Sequence, residues 1–176
     1  TMKVLAVADI HGKKDKLQLI ADHIKRHQPD HLVIAGDIIN YFNADKTLAA
    51  LSNLSIPVLA VRGNSDPKSI QSKFTQYPSL TNLHLNQIEL NQIPFVGIGG
   101  AVPIPFHSKV KLFERGLLDR LRGMLTPESV LIAHPPPKGT KDKVVGKFAA
   151  GSKGLTQLVK EVQPKMVICG HIHEDT

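Results

Sequence analysis

The chain has 176 residues, of which 22 are Lys or Arg and 15 are Asp or Glu, so its formal net charge is +7 with the histidines neutral. This length and a hydrophobic share of 41% are typical of one globular domain and exclude a mainly disordered protein. The apolar runs are far shorter than the ~20 residues that span a bilayer, and a single cysteine excludes an internal disulfide, so we expect a soluble cytoplasmic protein without a membrane partner.

Short apolar runs rich in Val, Ile and Leu recur along the chain and predict β-strands. Because the runs are continuous rather than alternating, we expect strands that are buried on both faces. In chain order the predicted strands cover residues 4–8, 32–35, 58–61, 95–98, 130–133 and 166–169. Cys169, at the end of the last run, is accordingly predicted to be a small reduced residue of the core.

Amphipathic patterns lie between several of these runs and predict helices. The spacing of apolar residues indicates helices over residues 17–24, 113–121 and 155–162. Strands that alternate with helices predict an α/β fold with largely parallel pairing. Segments 101–108 and 135–154 are rich in proline or glycine and are predicted to be loops.

Side chains of the kind that bind metals follow five of the six predicted strands. Parallel strands place their carboxyl ends on one edge of a sheet, so residues that are distant in sequence can meet there. The candidate ligands are Asp9, His11, Asp37, Asn64, His134, His171 and His173. Polar side chains that merely cap strands or fill polar gaps would not be expected in five equivalent positions, so the sequence predicts one shared site.

Spacing and ligand chemistry both favour a divalent metal centre. Asp9/His11 and His171/His173 are each two positions apart, which in extended backbone directs both side chains to one face. Imidazole with carboxylate or amide oxygen, and no thiolate, favours Mn²⁺, Fe²⁺, Co²⁺, Ni²⁺ or Zn²⁺. Two such ions beside the Asp9 and Asp37 carboxylates leave a charge of about +2, which suits a phosphate ester.

The chain resembles the calcineurin-like metallophosphoesterases, most closely the small prokaryotic Icc-type members. The resemblance rests on motifs in this order: Asp9-Ile-His11, Gly36-Asp37, Gly63-Asn64, His134 and Gly170-His171-Ile172-His173. It implies an αββα sandwich of two mixed β-sheets flanked by helices. It also implies a hydrolase of phosphate monoesters or diesters that acts by attack of a hydroxide bridging two divalent ions, with Mn²⁺ favoured over Fe²⁺, Ni²⁺, Co²⁺ or Zn²⁺.

The same resemblance assigns two ligand sets that share Asp37 as the bridge. One ion would be held by Asp9, His11, Asp37 and His173. The other would be held by Asp37, Asn64, His134 and His171. The expected catalytic residues are Asp37, Asn64 and His134, and the expected substrate contacts are Asn64 and Ser65.

Ser65 departs from the family pattern. Many members have a histidine at this position that protonates the leaving group, and a serine hydroxyl is a poor acid near neutral pH. We therefore expect esters with good leaving groups, including activated diesters, to react faster than alkyl monoesters. Asp66 is predicted to cap the segment that starts at Pro67, and the isolated histidines His31, His84 and His107 are predicted to be structural or solvated.

Two other functions share these motifs. A nuclease is compatible with the positive charge, although the chain lacks aromatic and basic stretches for nucleic acid. A non-catalytic interaction module on the same fold is less favoured because all seven ligands are present. The expected partners are thus a small phosphorylated substrate and, optionally, a second copy in a homodimer. We expect one metallophosphoesterase domain over residues 1–176, from which C-terminal strands of the family fold could be missing.

Overall fold

The computed structural model describes residues 1–40, 43–100, 116–139, 143–144, 148–149 and 151–170. Two four-stranded sheets pack against each other in this part of the chain. The strands of the first sheet are β1 (Val4–Val7), β2 (His31–Ala35), β3 (Val58–Val61) and β4 (Leu80–Asn82). They lie in the order β1-β2-β3-β4 and are all parallel, so their carboxyl ends share one edge.

The second sheet is mixed. Its strands are β5 (Gln87–Leu90), β6 (Ile93–Ile98), β7 (Val130–Ala133) and β10 (Met166–Cys169). They lie in the order β10-β7-β6-β5, and only β5 is antiparallel to its neighbour. A separate antiparallel pair is formed by β8 (Lys143–Val144) and β9 (Phe148–Ala149).

Helices cover the outer faces of both sheets. They are α1 (Lys14–His27), α2 (Ala44–Ser52), α3 (Ile70–Lys73), α4 (116–122) and α5 (Lys153–Val162), and a 3₁₀ turn over Phe74–Gln76 follows α3. Among the described residues no helix combines the length and apolar character needed to cross a bilayer. The expected α/β sandwich is confirmed, with one parallel and one mixed sheet.

Alternate residues of the buried strands serve different layers of the core. In β2, Leu32 and Ile34 pack with residues of α1 and α2, whereas Val33 and Ala35 pack against the second sheet. On the far side, β6 and β7 pack their other face against α4 and α5. This two-sided burial explains why the strands are continuous apolar runs instead of alternating ones.

The expectation of burial on both faces is wrong for the edge strands β1 and β10. Each of them pairs with a single neighbour, so β1 is largely half-buried, and Met166 at the start of β10 is 54% exposed. Cys169 is exposed too, which corrects its prediction as a core residue. Apolar composition alone does not distinguish a central strand from an edge strand.

The apolar runs mark the six predicted strands to within two residues at either end, but several short elements lack such a signal. α2, β4 and β5 were not predicted, because their polar residues dilute the apolar pattern. The predicted loop over 135–154 includes β8, β9 and the first residues of α5. Segment 101–108, His107 and the start of the predicted helix over 113–121 lie outside the described residues.

Candidate metal centre

Three buried side chains meet where β1, β2 and β7 end. Asp9, Asp37 and His134 each offer a ligand atom, and these atoms lie within 4.8 Å of one another. The exposed fractions of the three residues are 8%, 3% and 0%. Buried carboxylates beside an imidazole need a cation or hydrogen-bond donors to offset their lost solvation, so this cluster is the natural candidate for a metal centre.

Backbone hydrogen bonds place the first two ligands side by side. The segments that follow β1 and β2 remain hydrogen-bonded to each other. Asp9 N donates to Gly36 O at 3.0 Å, and His11 N donates to Asp37 O at 2.8 Å. Gly12 N donates to Ile38 O at 2.9 Å in the next step. The two loops therefore form one hydrogen-bonded support for the side chains.

The backbone at these ligands is left-handed rather than extended. Asp9, His11 and Asp37 have φ angles of 56°, 53° and 50°. The extended geometry expected for the Asp9/His11 pair is therefore wrong, because both residues lie in a tight turn after β1. Non-glycine residues in this region are uncommon and are enriched at functional sites, which supports a role for these three residues beyond folding.

The tautomer of His134 fits a metal ligand. Its Nδ1 lies 2.8 Å from Ala35 O, and because a carbonyl only accepts, Nδ1 donates a proton to this oxygen. Nε2 is on the other side of the ring, 2.8 Å from Asn64 Oδ1 and 3.5 Å from Asp37 Oδ1. Three acceptors that converge in this way suit a bound cation, and a carbonyl that fixes Nδ1 is the usual support of a metal-binding histidine.

Asp37 lies at the centre of the cluster. Its Oδ2 is 3.7 Å from His11 Nε2, while its Oδ1 is on the side of His134. Ser65 donates to both oxygens, from its backbone N to Oδ1 at 2.9 Å and from its hydroxyl to Oδ2 at 3.0 Å. Ser65 thus holds the orientation of the Asp37 carboxylate, a contact that the sequence did not reveal.

Asp66 has a different role from the one predicted. α3 starts at Ile70, and the Asp66 carboxylate is buried and turned toward the loops of the cluster. It accepts hydrogen bonds from Ile38 N and Ile39 N at 2.9 to 3.0 Å and from Gly63 N at 2.7 Å. Asp66 therefore joins the segment after Asp37 to the segment that carries Asn64. Its prediction as a helix cap is wrong because its donors are the amides of Ile38, Ile39 and Gly63, none of which belongs to α3.

Two glycines allow the ligands to approach each other. A Cβ at Gly36 would overlap the ring of His134, and the φ of this residue is 91°. A Cβ at Gly63 would overlap the carboxylate of Asp37. Both positions exclude any side chain while the cluster is assembled.

The remaining two candidate ligands, His171 and His173, lie outside the described residues. The residue before them is described: Gly170 N donates to His134 O at 3.2 Å. A Cβ at Gly170 would lie 3.1 Å from Asp9 Oδ2 and 2.5 Å from the Cβ of Ala8. The end of β10 therefore reaches the cluster one residue before His171.

His84 is neutral at physiological pH. Burial, and to a smaller extent the charges of Arg62 and Arg120, lower its pKa from 6.5 to about 4. Its Nδ1 accepts a hydrogen bond from Gly99 N at 2.9 Å, which a protonated ring could not do. The sequence did not predict this contact, since nothing in the local sequence links residues 84 and 99.

The His84 pKa predicts a pH-dependent stability. The unfolded chain takes up the proton near pH 6.5 and the folded chain only near pH 4, so stability present above pH 6.5 is lost as the pH falls toward 4. Between pH 7 and pH 4.5, urea unfolding should show the wild type losing about 1 to 2 kcal/mol more than His84→Asn, a value reduced for partial solvent exposure. Equal losses in both proteins would contradict this assignment.

Comparison with known proteins agrees with the fold. A sequence model of the family described as calcineurin-like phosphoesterase matches residues 2–175. A relative in Methanocaldococcus jannaschii, named only as an uncharacterised protein, is 28% identical over 182 residues, which are 98% of this chain and 81% of the relative. The match therefore extends over nearly the whole chain.

Solved structures share the fold at low identity. One superposes with a TM-score of 0.79 at 21% identity and covers 97% of this chain and 84% of its own. Protein TT1561 of Thermus thermophilus gives a TM-score of 0.70 at 16% identity, with coverage of 96% and 81%. A structure described as a novel archaeal phosphodiesterase gives 0.51 at 14%, with coverage of 82% and 79%. Because the family model matches residues 2–175 and the fold agrees with it, the chain belongs to the calcineurin-like phosphoesterase family.

Proposed function

We propose that this protein is a cytoplasmic phosphoesterase that uses two divalent metal ions to hydrolyse a small phosphorylated substrate. One observation carries the proposal: the Asp37 carboxylate lies between two imidazoles. His11 Nε2 is 3.7 Å from Oδ2, and His134 Nε2 is 3.5 Å from Oδ1. A carboxylate flanked in this way can bridge two ions, one on the side of each histidine.

The surrounding donors divide into two sets around Asp37. Asp9 and His11 would complete the site on the Oδ2 side, and Asn64 and His134 would complete the site on the Oδ1 side. His173 and His171, which the family motif adds to the first and second set respectively, follow Gly170 in sequence. The nitrogen and oxygen donors suit Mn²⁺, which we propose as the native ion, and equally other borderline divalent ions.

The residues of the metal centre differ in burial and charge, which suits them to different roles. Asp9, Asp37 and His134 are buried, whereas Asn64 and Ser65 are exposed at the entrance, where a substrate would arrive. Asn64 is neutral, so it preserves the positive charge of a loaded site and its attraction for phosphate. When bound, the two ions would supply Lewis-acid activation of water and of the phosphoryl group.

Metal reconstitution tests this proposal. Protein stripped of metal and reloaded with Mn²⁺, Ni²⁺ or Zn²⁺ should bind two ions per chain and hydrolyse aryl phosphate monoesters or diesters. The substrate panel should also include cyclic nucleotides and duplex DNA. Two bound ions without hydrolysis of any ester would favour an interaction module, and salt-dependent DNA binding with DNA cleavage would favour a nuclease.

The contacts of Ser65 predict a dependence on the leaving group. Because its hydroxyl donates to Asp37, it is not placed to protonate a departing alcohol. Across a series of aryl and alkyl phosphates, kcat/KM should therefore fall steadily as the pKa of the leaving group rises. Ser65→Ala should lower the rates but leave that slope unchanged. A flat profile in the wild type would contradict this prediction, and a steeper slope in Ser65→Ala would show that Ser65 assists the leaving group.

A further inference from the structure

A second cluster of polar side chains lies on the same edge of the sandwich as the metal centre. Arg62 directly follows β3 and is two residues before Asn64. His84 lies just beyond β4 and pairs with Gly97 of β6 through an isolated bridge. Arg120 lies on α4 and is exposed. Neither the metal ligands nor their supporting hydrogen bonds use these three side chains.

Arg62 is held in place by its backbone and by two glycines. Gly100 N donates to Arg62 O at 2.7 Å, and a Cβ at Gly99 would lie 2.8 Å from Arg62 N. The guanidinium rests against Gly100, where a Cβ would lie 2.5 Å from one of its terminal nitrogens. The Gly99-Gly100 pair at the end of β6 thus makes room for this arginine.

The guanidinium lacks a matching acceptor in the described part of the chain. Nε is buried and has no hydrogen-bond partner there, and one terminal nitrogen lies 3.4 Å from Gly63 O. Asp66 is the acidic group that acts on Arg62, but its oxygens already accept from three backbone amides. Burial in these surroundings lowers the pKa of Arg62, although the group stays charged.

His84 extends the row of donors beside Arg62. Its Nδ1 accepts from Gly99 N, so the neutral ring carries its proton on Nε2. Within the described residues Nε2 makes no hydrogen bond, so that N–H is available to an oxygen acceptor. Arg120 is near enough to act on the same ring electrostatically. Arg62 and the His84 ring therefore both adjoin the Gly99-Gly100 pair, and among the described residues neither Arg62 nor Arg120 forms a salt bridge with a carboxylate.

We propose that Arg62, His84 and Arg120 form an anion subsite that binds a second negatively charged group of the substrate. The proposal rests on the proposed function, because it assigns the scissile phosphate to the metal centre and the second group to Arg62. Since Arg62 contacts Gly63 O and Asn64 is the next residue in the chain, the two sites adjoin. The preferred substrate class is a phosphoester that also carries a carboxylate or a second phosphate.

Calorimetry on the Mn²⁺-loaded protein tests the subsite without relying on turnover. The probes are alkylphosphonates with spacers of increasing length that end in a carboxamide, a carboxylate or a second phosphonate. At the best spacer, the charged tail should bind about tenfold tighter than the neutral carboxamide, as expected for charge-assisted hydrogen bonds. The carboxylate and phosphonate arms show which anion the subsite prefers.

Substitutions show which residues bind the charged tail of the probe. Arg62→Met should reduce the advantage of the charged tail to less than about twofold while leaving carboxamide binding unchanged, and Arg62→Lys should keep part of it. Arg120→Met should also reduce the affinity advantage of the charged tail, and because the position is exposed the variant should fold normally. Arg26→Met is the matched control, since it removes one exposed charge in the last turn of α1, which is followed by the amino end of β2, whereas the subsite lies beyond carboxyl ends of strands.

Each outcome decides one question. No advantage for a charged tail in the wild type, or an advantage that persists in both Arg62→Met and Arg120→Met, overturns the subsite. Loss of the advantage in Arg26→Met would attribute it to overall charge and also overturn the proposal. If the phosphonates discriminate as expected but no phosphate ester is hydrolysed, the proposed function fails while the subsite stands.

Discussion

Replacement of Asp37 by asparagine should lower phosphate-ester hydrolysis by at least about 1,000-fold, because it removes the shared charge on which both proposed ions depend. The amide also presents an NH₂ group to one of the two histidines, either to His11 or to His134, which would face a donor instead of a metal-binding oxygen. Metal analysis should show fewer than two ions per chain. Steady-state kinetics at saturating Mn²⁺ measure the loss of rate.

A surface aspartate provides the control for this substitution. Asp22 is exposed on α1 and accepts from Gln18 at the surface, so Asp22→Asn makes the same chemical change away from the cluster. It should leave both metal content and rate unchanged. Circular dichroism should show Asp37→Asn to be folded, since its hydrogen bonds from Ser65 can be partly kept by the amide oxygen. Undiminished activity in Asp37→Asn would mean that the hydrolysis comes from a contaminant or from another site.

Replacement of Asp66 by alanine should lower the free energy of unfolding by roughly 3 to 5 kcal/mol, the range for a buried charged group removed from its partners. Three backbone amides, of Ile38, Ile39 and Gly63, would lose their acceptor in a buried region. Urea unfolding at neutral pH measures this change. Metal affinity should fall as well, because the same amides hold the segments that carry Asp37 and Asn64.

A milder variant separates positioning from folding. Asp66→Asn keeps one acceptor oxygen, so it should fold, lose less stability than Asp66→Ala, and still bind metal more weakly than the wild type. Asp22→Ala again serves as the surface control and should change stability by no more than about 0.5 kcal/mol. If Asp66→Asn bound two ions with wild-type affinity, Asp66 would have no positioning role. A wild-type unfolding curve for Asp66→Ala would contradict its place in the hydrogen-bond network.

The sequence predicts the sheet-forming runs well because burial on both faces leaves an unbroken apolar stretch. β2, β3 and β7 are such stretches, and all of their residues are buried apart from His31 at the start of β2. Edge strands defeat the same reasoning, as Cys169 shows, because edge position depends on which other strands assemble beside them. Short polar elements such as β5 carry too weak a pattern to be distinguished from loops.

The convergence of Asp9, Asp37 and His134 could be predicted because each follows an apolar run, so one rule of sheet geometry relates them. The supporting contacts could not. The bonds from Ser65 to Asp37, and those from three amides to Asp66, join segments about thirty residues apart or depend on turn conformations that composition does not encode. The pairing of His84 with Gly99 depends on the approach of two different sheets, and it becomes visible only in the folded chain.

The left-handed backbone at Asp9, His11 and Asp37 has a consequence for how this protein would respond to selection. At each of these positions the left-handed backbone lowers folding stability by on the order of 1 kcal/mol relative to glycine, which adopts the same conformation without strain. A random library screened for heat resistance alone would therefore drift toward glycine or asparagine at all three positions. Only a screen that also selects for activity would keep the acidic and imidazole side chains. Thermal stability and catalytic activity therefore impose opposite requirements on these three residues.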